Sequence, residues 1–151
     1  FLQSKLFTPL GMKSAIPEFD ASGTWIASSY VHATARDFAR FGLLYLRGGV
    51  WEGRQLIPSA WVETARSPTA ASNGHYGALF WLNATDRATG KPAVTPHLPA
   101  DAFFARGFGG QLITVIPSRD AVIVMSNLAY GNDAEPIAKL LGEVLAALPE
   151  P

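Results

Sequence analysis

The stretch Arg106-Gly107-Phe108-Gly109-Gly110-Gln111-Leu112-Ile113-Thr114-Val115-Ile116-Pro117-Ser118-Arg119-Asp120-Ala121-Val122-Ile123-Val124-Met125-Ser126-Asn127 decides the reading of the fold. Two apolar, β-branched runs flank a Pro-Ser-Arg-Asp turn, which predicts a hairpin. Neither run alternates apolar and polar residues, so both faces of the hairpin call for cover. The glycines that open the first strand let backbone amides approach another molecule with no Cβ in the way.

Downstream, Glu135 to Leu148 reads as a helix that covers one face. Ile137, Leu140, Leu141, Val144, Leu145 and Leu148 fall on one stripe, and Pro136 sits in the first turn. The other face has no obvious partner in the chain. Upstream, Tyr76 to Leu82 reads as a third antiparallel strand, followed by an irregular excursion from Asn83 to Ala102.

The front of the chain is less regular. Phe1 to Phe7 reads as the last turns of a helix stopped at Thr8-Pro9-Leu10-Gly11. Lys13 to Tyr30 has no period and is expected to be a long loop. Thr34 to Leu46 is a helix with Thr34 and Asp37 placed as a capping box and a stripe of Phe38, Phe41, Gly42 and Tyr45. A small hairpin turns at Glu52-Gly53, and Pro58 opens a short helix to about Arg66. The chain thus divides into an irregular, helix-bearing part (1–75) and a strand, strand, strand, helix part (76–151). That order predicts an α+β fold, an antiparallel sheet of about three strands with a C-terminal helix on one face.

Composition narrows the function. With 151 residues the chain can bury a core of its own. Twelve basic and twelve acidic residues cancel, which argues against a nucleic-acid or anionic-membrane partner. No apolar run approaches the ~18 residues of a membrane span. Without cysteine there is neither a disulfide framework nor a thiolate metal site, and the compartment, periplasm or cytoplasm, stays open. The chain opens on Phe1 with no signal-peptide pattern, so its natural start is expected upstream.

Few residues carry chemistry on their own. Gly107-Phe108-Gly109-Gly110 lacks the spacing of a dinucleotide fingerprint and opens a strand rather than a helix, so no cofactor is expected. His32, His75 and His97 have no metal-ligand spacing, and no metal is expected either. Ser29, His32 and Asp37 contain the residue types of a catalytic triad, but they share one loop and helix start, whereas triads converge from different elements. The glycine-rich strand opening fits two readings. It is either an oxyanion hole, with amide donors aimed at charge developing on a carbonyl oxygen, or a plain bulge.

Four ordered segments bear a family resemblance. Leu6-Phe7-Thr8-Pro9-Leu10-Gly11-Met12, Ala33 to Gly42, Tyr76 to Trp81, and Gly107 to Gln111 with its Pro-Ser-Arg-Asp hairpin resemble the β-lactamase-like serine hydrolases. These include class C β-lactamases, DD-peptidases, related esterases and 6-aminohexanoate-dimer hydrolases. The long Thr24 to His32 loop leans towards the last two. The resemblance implies an incomplete β-lactamase/transpeptidase-like fold and a serine, activated by lysine in an S-x-x-K pair, that forms an acyl-enzyme. Residues three before Lys5, Lys13, Lys91 and Lys139 are Leu2, Leu10, Ala88 and Pro136, so the chain has no such pair. Tyr130-Gly131-Asn132 fits Y-x-N formally but follows the last strand, where the family does not place its tyrosine.

What the resemblance implies, then, is the C-terminal part of such an enzyme, whose partner is the N-terminal part carrying nucleophile and tyrosine. Phe108-Gly109-Gly110 corresponds to the family's third motif, and the backbone N–H of Gln111 to an oxyanion donor. Phe108 stands where many relatives have lysine or histidine and cannot pair with a carboxylate. A small amide or ester is therefore a better substrate than a β-lactam. Trp25, Tyr30 and His32 lie on a loop that approaches the pocket in relatives; plain packing is the favoured reading for Trp25 and Tyr30, and for His32 pocket lining and a structural use are equally open. A non-catalytic penicillin-recognition or peptidoglycan-associated module is the alternative.

Overall fold

The computed structural model describes residues 1–91, 94–126 and 134–150. A wide helical turn at Gln3–Phe7 runs into α1 (Thr8–Leu10), and Gly11 ends it in the left-handed region at φ 66°. The helix therefore continues through Pro9 rather than stopping before it. A widened turn ahead of proline accommodates its missing N–H. Lys13 to Tyr30, expected as a loop, belongs to an ordered ribbon. Strand β1 (Ile16–Pro17) pairs antiparallel with β2 (Val31–His32), and Phe19 bridges Trp25. Asp20 closes the tip by accepting N–H groups of Ser22 and Thr24, at 2.9 and 2.8 Å.

Next comes α2 (Ala35–Leu46), capped by Thr34, whose Oγ1 accepts the Asp37 N–H. The capping box is only half formed. The buried Asp37 carboxylate accepts the Ser14 N–H and hydroxyl at 2.8 and 2.6 Å, and Ser14 Oγ accepts the Thr34 N–H at 2.9 Å. Ser14 thus takes the place of the reciprocal bond and ties the preceding loop to the helix start. Strands β3 (Val50–Trp51) and β4 (Arg54–Gln55) form the small hairpin, with Glu52 and Gly53 at φ 47° and 75° as a tight primed turn requires. Helix α3 spans Ser59–Ala65.

Among the described residues the main sheet has four antiparallel strands in the order β5 (Trp81–Leu82), β6 (Phe103–Arg106), β7 (Leu112–Ile116) and β8 (Ala121–Met125). The hairpin is as expected, but the strand beside it is Phe103–Arg106, not Tyr76–Leu82. Residues 76–82 fold back on themselves. Gly77 N–H donates to the Phe80 carbonyl at 2.9 Å, Leu82 N–H to the His75 carbonyl at 2.8 Å, and Leu79 sits at φ 67°. Only Trp81 and Leu82 reach the sheet. Gly77 is packed so closely on the Ala65 carbonyl that a Cβ there would meet it at 2.1 Å.

Both faces of the sheet are covered. On one face lies α4 (Ala134–Ala147), where Leu141 and Leu145 pack with Phe104, Ile116 and Leu98. The expectation of an uncovered second face fails: α2 and α3 cover it, with Tyr45, Val62 and Ala65 on Phe103, Val115 and Phe80. Gly42 lets α2 approach, since a Cβ there would lie 2.6 Å from Val122 Cγ1 and 3.0 Å from Ile113 Cγ2. A third cluster joins α1 to α2 through Phe7, Leu10, Met12 and Leu44. The result is the α+β class expected, with helices on both sides of a four-stranded sheet.

One polar residue organises the excursion before β6. Asn83 is fully buried, with its Nδ2 on the carbonyls of Thr95, Leu98 and Pro99 and its Oδ1 accepting the Val94 and Thr95 N–H groups. This single amide holds the loop that seats Leu98 in the core.

Candidate active site

Strands β6 and β7 meet at a glycine turn, residues 107–111, at the end of the sheet. The Gly107 N–H donates to the Gln111 carbonyl at 2.8 Å, and the Gly110 N–H to the Gly107 carbonyl at 3.2 Å, with Gly110 at φ 86°. The Gly109 N–H donates to the Gln111 side-chain Oε1 at 3.0 Å. Among the described residues no acceptor faces the N–H of Phe108 or of Gln111. Those two amides are the donors this turn leaves over, one at its fully exposed apex and one at the start of β7.

The turn borders a groove of about 740 Å³. One wall is residues 27–33 on the ribbon, the other is residues 105–109 with Gln111, and Phe38, Ile113 and Val124 line it further. Phe108, Gly109, Gln111, Tyr30 and His32 are thus brought to one groove, whereas Trp25 and Gly110 do not line it. Trp25 is half-buried in the ribbon, and its Nε1 has no partner among the described residues. Tyr30 projects from the wall at φ 62°, a strained conformation for a non-glycine residue.

The lining is largely uncharged. Arg106 and His32 are the basic side chains on it among the described residues, and exposed His32 lies 3.4 Å from Glu18 Oε1. Arg106 was not among the residues sequence reasoning selected, because a charge at a strand end reads as an ordinary solvated position. A smaller cavity of about 50 Å³, lined by Trp81, Phe104, Leu112 and Ile137 among others, lies against α4. It is too small for more than a few atoms.

Ser29, His32 and Asp37 do not assemble. Asp37 is committed to Ser14 and to Arg40 Nη1 at 2.5 Å, and the Ser14 hydrogen bonds, foremost that of its hydroxyl, hold its carboxyl below the usual range. His75 pairs with Asp86, and His97 Nε2 lies 2.9 Å from Glu135, so each histidine has its own carboxylate in a separate place. No group of three or more His, Cys, Asp or Glu that could hold a metal occurs among the described residues. Nor is any described helix long and apolar enough to cross a membrane. Tyr130-Gly131-Asn132 lies outside the described residues.

Comparison with known proteins gives a consistent result. The Beta-lactamase family model matches residues 1–146. A 6-aminohexanoate-dimer hydrolase of Paenarthrobacter ureafaciens is 27% identical over 117 residues, covering 70% of this chain and 26% of the relative. An uncharacterised protein of Alkalihalophilus pseudofirmus is 24% identical over 105 residues, covering 68% of this chain and 31% of the relative. The chain thus spans about a quarter to a third of the length of these curated relatives. Among solved structures, a Bacillus anthracis protein provisionally assigned as a 6-aminohexanoate-dimer hydrolase superposes with TM-score 0.71 at 25% identity, covering 99% of this chain and 39% of that one. A penicillin-binding protein homologue from Caulobacter crescentus superposes with TM-score 0.72 at 20% identity, covering 97% and 52%, a likeness of fold.

Proposed function

The chain belongs to the Beta-lactamase family, and on that premise we propose that it forms the oxyanion-side part of a serine hydrolase that cleaves a small amide or ester through an acyl-enzyme. The observation that carries this reading is the glycine turn, whose amides at Phe108 and Gln111 have no acceptor among the described residues and lie beside a largely neutral groove. Amide donors fixed in place beforehand stabilise the oxygen anion of a tetrahedral intermediate without reorganising during the reaction.

In this reading the nucleophile is a serine of an S-x-x-K pair upstream of Phe1. Its Oγ attacks the carbonyl carbon, the carbonyl electrons move to oxygen, and the Gln111 N–H donates to that oxygen, with the Phe108 N–H beside it. The intermediate collapses with loss of an amine or alcohol, which takes the serine's proton through the lysine and tyrosine, and water then hydrolyses the acyl-serine. Phe108, Gly109, Gly110, Tyr30 and His32 shape the substrate end. Phe108 offers an apolar face where a cation would select a carboxylate, which favours neutral amides and esters over β-lactams. The dimer hydrolase among the relatives makes a linear amide the first natural substrate class to try.

The test is p-nitrophenyl acetate hydrolysis by the full-length protein, by this segment alone, and by the segment mixed with the upstream part. Turnover by the full-length protein, with an acetyl mass adduct on an upstream serine and none from the segment alone, is the expected result. A folded full-length protein that neither turns over nor acquires the adduct refutes catalysis and leaves a binding module of the same fold. Activity of the segment alone overturns the assignment of the nucleophile.

A further inference from the structure

The Gln111 side chain folds back into the turn that it follows. Its Oε1 accepts the Gly109 N–H at 3.0 Å, an orientation of the amide that this donor requires. It also fills the space over two glycines. A Cβ added at Gly107 would lie 2.6 Å from Gln111 Oε1 and 3.3 Å from its Cβ, and one added at Gly109 would lie 2.8 Å from Nε2. Gln111 is only half-buried, so this placement serves no core. Meanwhile its backbone carbonyl holds the Gly107 N–H at 2.8 Å. One residue therefore grips the turn at both ends, and the Phe108 amide lies between the two gripped positions.

We propose that the Gln111 side chain is the positioning residue of the oxyanion turn. This rests on the reading of that turn as an oxyanion hole. By accepting the Gly109 N–H, Gln111 removes that amide from competition for the substrate oxygen. By occupying the space over Gly107 and Gly109, it fixes the peptide planes of a turn that borders the groove. Glycine at 107 and 109 leaves the room this side chain takes, and a Cβ at either position would have to displace it. Neither position has a positive φ in the left-handed region, where glycine would be needed for its backbone freedom.

Two substitutions in the full-length protein approach the same contact from opposite sides. Gln111→Met keeps the length of the side chain and removes the acceptor. Gly109→Ala keeps the acceptor and pushes the side chain out. Each is expected to lower kcat on p-nitrophenyl acetate on the order of tenfold with KM little changed, because a misaligned donor loses part of what a deleted one loses. Each is also expected to weaken phenylboronic acid, whose serine adduct carries a tetrahedral anion, by a similar factor. The double variant is expected to cost no more than the worse single one, since both remove one contact.

Multiplicative losses, or a fall in kcat with unchanged phenylboronic acid affinity, overturn the assignment of Gln111 while leaving the hydrolase reading in place. Should Gln111→Met fail to fold, Gly109→Ala alone decides through the comparison of kcat with boronic acid affinity. A wild-type protein that neither turns over nor binds the boronic acid removes the hydrolase reading, and this inference with it.

Discussion

Replacing Asn83 by alanine tests whether one buried amide holds the excursion before β6. The Asn83 side chain is fully buried. It donates to the carbonyls of Thr95 at 2.9 Å and of Leu98 and Pro99 at 3.0 Å, and it accepts from the N–H groups of Thr95 at 2.8 Å and Val94 at 3.2 Å. An asparagine amide has two N–H donors and two acceptor sites, so the three carbonyls share two N–H groups and the five contacts amount to four hydrogen bonds at full capacity. At about 0.5–1.5 kcal/mol per hydrogen bond, losing four costs roughly 2–6 kcal/mol, and water that enters the vacated space recovers part of it. We expect a loss of about 3 kcal/mol, a large share of the ~5–15 kcal/mol of a typical domain. Urea unfolding followed by circular dichroism measures it, and amide hydrogen exchange at Thr95 reports where it falls. A loss under about 1 kcal/mol with Thr95 protection intact would refute the reasoning, since single buried hydrogen bonds already cost that much.

Other expectations follow from particular contacts. Gly42→Ala gains about 1 kcal/mol of helix propensity but drives a Cβ to 2.6 Å from Val122 Cγ1, an overpacking of about 1–3 kcal/mol. Net destabilisation in thermal melts, relieved by adding Val122→Ala, is expected; a stabilised single variant would contradict the close packing of α2 on β7 and β8. Thr34→Ala removes the α2 cap and is expected to cost about 1 kcal/mol in denaturant melts. Asp86 has its carboxyl lowered from 3.8 to about 2, first by the His75 hydrogen bond and then by bonds from Thr89 and Ala88. Because the folded value is depressed, its stabilisation is complete above pH ~4 and is lost as pH falls through about 2. In His75→Ala the Asp86 titration followed by NMR is expected to move back towards 3.8, and an unmoved titration would exclude His75 as the main cause. Proline at Phe108 or at Gln111 deletes one N–H each. Steady-state kinetics of the full-length protein are expected to show a fall in kcat of roughly 10²-fold for whichever amide serves the oxyanion.

Elements whose signal is local could be read directly from the order of residues. The β7–β8 hairpin was legible because β-branched runs around Pro117 to Asp120 have few other solutions, and Asp120 indeed takes the left-handed position at φ 45°. The cap at Thr34, the Glu52-Gly53 turn and the α4 helix were legible for the same reason, although of the expected α4 stripe only Ile137, Leu141 and Leu145 pack on the sheet while Leu140, Val144 and Leu148 are exposed; the family was legible through ordered motifs that cover most of the chain. Tertiary structure decided the rest. Phe103–Arg106 is four residues long and without alternation, and it becomes a strand because β7 offers it a ladder. Tyr76–Leu82 has the better strand composition, yet it folds back because Gly77 docks against the Ala65 carbonyl. The cover for the second sheet face was present in the apolar stripe of α2, but a stripe does not say which surface it meets, and the glycine at 42 that permits the approach to Ile113 and Val122 names no partner. At the candidate site, the sequence placed glycines and a glutamine in order. Only the fold brought Tyr30 and His32 across the groove from them and turned the Gln111 side chain back into the turn. Those are contacts between residues far apart in the chain, or between a side chain and its own backbone, and neither leaves a periodic trace in the sequence.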